Sequence, residues 1–117
     1  MIRVYGIKNC DTVKKAVSWL NQHNIEHEFF DVKTCGLTLK QIEAWREALG
    51  ADTLINKRST TWKQLSPSDK ERVLQPQGLA IVLANPTLIK RPLVERDDGI
   101  SVGFSDVEYT ALFNTPS

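Results

Sequence analysis

Cys10 is the residue whose position in this chain most favours chemistry. It follows a predicted strand over residues 1–7 and stands in the first turn of a predicted helix, whose apolar residues recur at positions 13, 16, 17 and 20. Unpaired amide groups and the helix dipole favour negative charge at such a helix start. A thiol placed there ionises more readily than an ordinary cysteine, and the thiolate is the nucleophile. The sequence therefore predicts a reactive thiol at Cys10.

The neighbours of Cys10 are charged and polar. Lys8 and Lys14 add positive charge, and Lys14 lies four residues later, one helical turn from the sulfur. Asn9 is the expected N-cap of the helix, and both Asn9 and Thr12 either cap the helix or act directly beside the thiolate. The alternative for Cys10 is a small buried hydrophobe, which these polar surroundings disfavour.

The second cysteine, Cys35, lies in a predicted loop. A Cys-x-x-Cys pair is missing because position 13 is Val13, so a resolving thiol would be Cys35, glutathione or another protein. Cys35 is otherwise incidental. The two cysteines do not form a disulfide framework, and with His23 and His27 they show no zinc-type spacing. We therefore expect no metal site.

Length and composition restrict the class of protein. The chain has 117 residues, of which 41% are hydrophobic and 25% are charged, with a net charge of +1. This size predicts one domain over residues 1–117, and the charge balance gives no reason to expect nucleic acid or a membrane as partner. There is no apolar run of the roughly 18 residues that span a bilayer, and the first residues lack the regions of a signal peptide. We therefore expect a soluble, cytoplasmic monomer.

Periodicity and turn residues predict the order of elements. A strand, a helix and a second strand form a βαβ unit with parallel strands. The next predictions are helical: a helix from the Thr38 capping box to Gly50, a helix start at Ser66-Pro67 and a short buried helix over 78–84. Two strands, over 88–94 and 100–104, follow around the turn Asp97-Asp98-Gly99. A final helix after Ser105 has Val107, Ala111 and Leu112 inward. The sum is an α/β fold of the thioredoxin or glutaredoxin type, with a mixed four-stranded sheet and a helical insertion over about 38–85.

The segment 5–16, Tyr-Gly-Ile-Lys-Asn-Cys-Asp-Thr-Val-Lys-Lys-Ala, resembles the active-site segment of the ArsC-like family. This family comprises ArsC-type arsenate reductases, Spx-type transcription regulators and uncharacterised YffB-type proteins. The stretches 54–59, 86–92 and 102–106 agree with it as well, so the resemblance covers nearly the whole chain. The first eight residues of the segment are most similar to the YffB-type proteins.

The resemblance implies roles for several residues. Cys10 would be the nucleophile. In the arsenate reductases this cysteine attacks arsenate, glutathione displaces the product, and a glutaredoxin recycles the enzyme. Arg58 and Arg91 match two of the three arginines that hold the oxyanion, which suits the fork of a guanidinium group. Without the resemblance, Arg58 would be a solvated surface arginine. The resemblance also implies that Pro92 is a cis-proline beside the active-site sulfur.

Two positions depart from the arsenate reductases. Phe104, thirteen residues after Arg91, stands in place of the third arginine, and Gly6 replaces a histidine. One cation fewer and one phenyl ring more suit a larger, partly apolar substrate such as a glutathione adduct. We therefore expect a glutathione-dependent thiol reductase that uses Cys10, with glutathione as co-substrate, no bound cofactor, and a thiol, a mixed disulfide or glutaredoxin as partner. The alternatives are an Spx-like protein that contacts RNA polymerase, although its Cys-x-x-Cys switch is missing, and an arsenate reductase.

Overall fold

A computed structural model of the protein describes residues 2–97 and 99–113, which divide into two compact units. One unit combines the described residues of 1–31 and 91–117 and holds the sheet. The other unit covers residues 32–90 and consists mainly of short helices. Cooperative folding of 1–117 as one domain, with an insertion bounded near 38 and 85, stays a prediction.

The elements follow one another in the predicted order. They are β1 (Ile2–Gly6), α1 (Asp11–Gln22), β2 (His27–Asp31), α2 (Leu39–Leu49), α3 (Ala51–Leu54), α4 (Thr60–Gln64), α5 (Pro67–Val73), α6 (Leu79–Ala84), β3 (Leu93–Arg96), β4 (Gly99–Val102) and α7 (Asp106–Phe113). Two 3-10 turns, Pro76–Gly78 and Pro86–Leu88, flank α6. Within the described part of the chain, no helix is both long enough and apolar enough to span a bilayer.

The four strands form one mixed sheet in the order β2-β1-β3-β4. β1 and β2 are parallel, as the βαβ pattern predicts, whereas β3 is antiparallel to β1 and to β4. Arg96 pairs with Gly99 across the β3–β4 hairpin, which confirms the predicted reversal. Met1 of the predicted first strand and Asp98 of the predicted turn lie outside the described residues.

α1 and α7 pack on one face of this sheet. Val4 of β1 and Val94 of β3 lie opposite each other, and both are fully buried. Helical residues complete this cluster, namely Ala16, Trp19, Leu20 and Tyr109. Burial raises the pKa of the Tyr109 phenol well above its ordinary range. The packing of these helical side chains against Val4 and Val94 fixes the direction of α1 on the sheet.

The predicted apolar face of α1 is largely confirmed. Val13, Ala16 and Leu20 are buried, while Val17 is half-buried. Trp19 adds a fourth buried side chain that the spacing did not include. It packs edge-on against Tyr109 with ring centroids 5.4 Å apart.

The predicted strand over 88–94 is wrong in its first half. Leu88 ends a 3-10 turn and Ile89 makes an isolated bridge with Ile55, so β3 begins only at Leu93. Pro92 explains the interruption because it has no N–H group for a ladder of strand hydrogen bonds. The strand over 100–104 is also shorter than predicted, since β4 ends at Val102.

The inward face of α7 also differs from the prediction. Val107 is 83% exposed and Ala111 is exposed, whereas Tyr109 is buried and Leu112 is half-buried. The aromatic ring of Tyr109 has more apolar surface to bury than Val107 or Ala111, and this turns the helix. Ser105 still caps α7 by accepting a hydrogen bond from the Glu108 amide at 3.0 Å, as predicted.

The helical unit starts and ends its helices largely as the sequence predicts. Thr38 forms the capping box of α2 with Gln41, and the helix ends at Gly50, whose φ of 84° favours glycine. Ser66 caps α5 ahead of Pro67. The prediction of a buried helix near 78–84 is only partly right, because Val82 is its one fully buried residue within α6.

Gly6 is the residue that lets α1 approach the end of β1. A Cβ atom at Gly6 would lie 2.7 Å from Cγ2 of Val13, which is buried against it. We predict that Gly6→Ala lowers the free energy of unfolding by about 1–3 kcal/mol, because α1 must move. Urea denaturation followed by circular dichroism measures this change.

Gly99→Ala is the matched control. A Cβ atom at Gly99 would meet only the Arg96 side chain, whose nearest atom, Nη2, lies at 3.1 Å. We expect a change within about 0.5 kcal/mol for this variant. Equal losses in the two variants would contradict the proposed close packing at Gly6.

Candidate active site

Cys10 lies where the β1–α1 turn becomes helix. Its amide donates to the Ile7 carbonyl at 3.4 Å, and its carbonyl accepts the first helical hydrogen bond from the Lys14 amide at 3.0 Å. Its backbone is extended, with φ −102° and ψ 121°, so Cys10 is itself the N-cap residue. The prediction of Asn9 as the N-cap is therefore wrong. Asn9 stands one residue earlier, inside the turn that Ile7 and Cys10 close.

Cys10 occupies the N-cap position of α1, where other helices of this protein have a residue with a capping hydroxyl. α1 has no capping hydrogen bond from any side chain of the described residues. Hydroxyl oxygens cap four of the other helices, those of Thr38, Ser59, Ser66 and Ser105. An N-cap side chain accepts from the second or third helical amide, here Thr12 or Val13. A thiolate at Cys10 can accept from these same amides at the positive end of the helix.

The side chains around this thiol carry more positive than negative charge. Lys8 and Lys14 are exposed, and neither forms an ion pair with any residue that the structure describes. Asp11 in the first turn is the opposing charge. Asn9 and Thr12 are exposed and form no side-chain hydrogen bond within the described ranges, so neither of them is a cap. Their direct role beside the thiolate stays a prediction.

Arg91 and Pro92 belong to the same unit as Cys10. The Arg91–Pro92 peptide bond is cis, as the resemblance implies. Pro92 is fully buried, and its carbonyl accepts from the Gly103 amide at 2.9 Å. Since Tyr5 pairs with Leu93 in antiparallel strands, β3 begins at the end of the sheet where β1 leads into the Cys10 turn. Arg91 is half-buried, and its contact with an anion stays a prediction.

Arg58 lies in the helical unit. Its side chain is exposed, and its amide donates to Oδ1 of Asn56 at 3.0 Å. It directly precedes Ser59, the cap of α4. The local structure therefore fixes the Arg58 backbone in a hydrogen-bonded turn. Its participation in anion binding is still a prediction.

The remaining two candidates have distinct settings. Cys35 follows β2, belongs to the helical unit, and carries a half-buried thiol rather than a disulfide, as does Cys10. Phe104 packs edge-on against Tyr109 with ring centroids 4.7 Å apart and contacts the core of the sheet unit. The ring that replaces the third arginine is thus partly committed to packing.

A groove beside α1 is a feature that the sequence did not predict. It has a volume of about 410 Å³ and includes the exposed Lys8 and Lys14 among its lining. Its floor is apolar, formed by Val13, Val17 and Phe29. We call it the α1 groove. Phe29 comes from β2, so the groove forms only when this strand packs against α1. The helical spacing of the lining residues after Cys10 was the part of the groove that the sequence indicated.

The sheet order, the cysteine at the start of α1 and the cis-proline before β3 define a thioredoxin-like fold with a thiol site. Residues 5–112 match the ArsC family, and the chain belongs to that family.

Relatives and solved structures agree with this assignment. An uncharacterised protein of Haemophilus influenzae is 48% identical over 113 residues, which cover 97% of this chain and 99% of that protein. A global transcriptional regulator Spx of Staphylococcus epidermidis is 27% identical, covering 92% of this chain and 83% of the regulator.

Two solved structures are similar over almost all of the chain. A protein named YFFB is 34% identical with a TM-score of 0.88, covering 95% of this chain and 97% of YFFB. An arsenate reductase (ArsC) related protein of Brucella melitensis is 37% identical with a TM-score of 0.75, covering 96% of this chain and 93% of its own. Family and neighbours together support an ArsC-type thiol-redox function.

We predict that Cys10 is alkylated by iodoacetamide at pH 7 about tenfold faster than Cys35, because only Cys10 stands at a helix N-terminus. Peptide mass spectrometry over a time course gives both rates in one sample. In urea the two rates should converge, which controls for intrinsic differences between the peptides. A faster Cys35 in the folded protein would contradict the assignment of the reactive thiol.

Proposed function

We propose that this protein is a glutathione-dependent thiol reductase that acts through a single cysteine, Cys10. The observation that carries the proposal is the Cys10 thiol at the N-cap of α1, where no described side chain caps the helix. The first amides of α1 stabilise an anion at this sulfur. A nucleophile of this kind suits thiol–disulfide exchange, which depends on the thiolate.

The reaction needs no second protein cysteine. The Cys10 thiolate attacks the glutathione sulfur of a mixed disulfide, and the bond to the substrate sulfur breaks. The substrate leaves as a thiolate and takes a proton from water, while Cys10 holds glutathione in a disulfide. The thiolate of a second glutathione attacks the sulfur of the first, so that oxidised glutathione leaves and Cys10 is a thiolate again. In the net reaction the substrate sulfur is reduced from a disulfide to a thiol and the sulfur of the second glutathione is oxidised from a thiol to a disulfide, while the first glutathione sulfur keeps its oxidation state.

The cationic side chains suit glutathione, which carries two carboxylates. Lys8 and Lys14 flank Cys10 in sequence and are exposed to a ligand. Arg91 precedes the cis-proline Pro92 in the same unit as the thiol, and its fork can hold a carboxylate. On the family resemblance we assign anion binding to Arg58 as well. Asn9 and Thr12 would contribute polar contacts beside the sulfur.

An arsenate reductase is a weaker candidate for two physical reasons. Phe104 removes one of three cations and packs on Tyr109 instead. Gly6 has no room for a histidine, because even a Cβ atom would lie 2.7 Å from the Val13 side chain. If that histidine is counted as a cation, the oxyanion site here has two cations fewer than the arsenate reductases that the chain resembles. A site with fewer cations binds a small tetrahedral anion less strongly.

An Spx-like regulator is the second candidate, because a relative with that name covers most of the chain. Val13 is buried where the partner cysteine of a Cys-x-x-Cys switch would stand. A regulator of this kind would bind RNA polymerase and would not turn over glutathione mixed disulfides.

We predict that the wild-type protein reduces a glutathione–cysteinyl peptide disulfide with reduced glutathione, and that Cys10→Ser abolishes turnover. Cys35→Ser should retain at least about half of the wild-type rate, since glutathione resolves the intermediate. Release of oxidised glutathione, coupled to glutathione reductase, measures the rate. Loss of turnover in Cys35→Ser would contradict the single-cysteine mechanism. Absence of turnover in the wild type, with stoichiometric binding of purified RNA polymerase, would favour the regulator.

We also predict that Arg91→Lys and Arg58→Lys each raise KM for the glutathione disulfide by about fivefold to tenfold, because lysine cannot hold a carboxylate with two hydrogen bonds. Arg72→Lys, an exposed position in α5, is the matched control with unchanged KM. Thermal unfolding checks that the folded state persists. Unchanged KM in both variants would contradict the proposed role of these arginines in anion binding.

A further inference from the structure

The α1 groove lies along the turns of α1 that follow Cys10, and its end nearest Cys10 is called its thiol end, although Cys10 is not among its lining residues. Its helical lining residues include Val13, Lys14, Val17 and Asn21, which lie three, four, seven and eleven positions after Cys10. Their spacing places these four residues on one stripe of α1, whose first turn directly follows Cys10. Eleven residues of helix extend about 16 Å, which an extended peptide covers with about five residues.

The lining of the α1 groove is positively charged at the thiol end and apolar along its floor. Lys8 and Lys14 are its charged residues, and it contains no aspartate or glutamate from the described ranges. Val17 and Phe29 are half-buried and pack against the core of the sheet unit, which keeps the floor in place. A complementary ligand therefore has carboxylates near Lys8 and Lys14 and apolar side chains along Val17 and Phe29.

A second groove lies next to the α1 groove, shares Lys14, Ser18 and Gln22 with it, and differs in its other lining residues. It has a volume of about 370 Å³ and is lined by Lys15, Trp19, Phe104 and Asp106, among others. Asp106 opposes the lysines there, so that groove is less complementary to an acidic ligand. The α1 groove is therefore the better match for an acidic ligand.

We propose that the α1 groove binds an extended, acidic and apolar peptide segment of the protein that carries the disulfide. This inference rests on the proposed thiol reductase function and names the substrate class. Glutathione has carboxylates but no apolar side chain, so it leaves the floor of Val13, Val17 and Phe29 uncovered. A protein segment covers both parts of the groove. It stays in place while Cys10 takes the glutathione, and then leaves as the reduced thiol.

Peptide binding without covalent chemistry tests the groove. The probe is a fluorescein-labelled hexapeptide with two glutamates, a serine in place of the cysteine, and leucines at the remaining positions. We expect Lys8→Glu to weaken its binding by at least about tenfold, because an attraction becomes a repulsion at the thiol end. Lys15→Glu has the same charge change but lines only the second groove, and its affinity should stay within about twofold of wild type. Equal losses in both variants would overturn the proposal.

Amide chemical shifts locate the ligand and identify its class. The hexapeptide should shift the resonances of Val13, Val17 and Phe29 in the wild-type protein. S-methylglutathione, which cannot form a disulfide, should not shift them at equal concentration. Shifts of these three residues by S-methylglutathione alone, or by neither probe, would overturn the assignment of a peptide.

The proposed function is tested by turnover, a measurement separate from peptide binding. Neither probe uses the Cys10 thiol, so binding is independent of turnover. Turnover in the wild type without peptide binding overturns the groove alone. Peptide binding with no turnover of any glutathione disulfide overturns the reductase and, with it, the role of the groove in selecting a substrate.

Discussion

The close approach of α1 to the end of β1 is the contact on which the site depends. Gly6 has no side chain, and the buried Val13 lies where that side chain would be. One and two turns later, Ala16 and Leu20 enter the core against the sheet. Because these contacts fix the start of α1, its first amide groups are held beside Cys10 rather than fraying. The packing between strand and helix thus holds in place the helix start on which the proposed reactivity of Cys10 depends.

Much of the fold could be predicted because local chemistry and tertiary packing agree. The helical periodicity of α1 and the hydroxyl caps of α2 and α5 correspond to the observed elements. The failures occur where contacts distant in sequence decide. Pro92 delays β3, and the aromatic packing of Tyr109 with Trp19 turns α7 away from its own apolar pattern.

The candidate site likewise combines features that depend on local sequence with features that depend on contacts distant in sequence. The position of Cys10 and the two flanking lysines is local, and the sequence was sufficient to select them. The cap was misplaced by one residue because the hydrogen bond from Cys10 to Ile7 closes a turn that side-chain preference alone does not specify. The α1 groove could not be foreseen in full, since Phe29 reaches it from β2. Residues from separate elements meet only in the folded chain.

The central claim is that Cys10, held at the N-terminus of α1, is the thiol that exchanges with glutathione. Mass spectrometry after treatment with oxidised glutathione tests it most directly, with wild type and Cys10→Ser compared by intact mass and peptide mapping. The account predicts one glutathione adduct on the wild-type protein, located at Cys10, and no adduct on the variant. An adduct that survives in Cys10→Ser would place the reactive thiol at Cys35 and contradict the account.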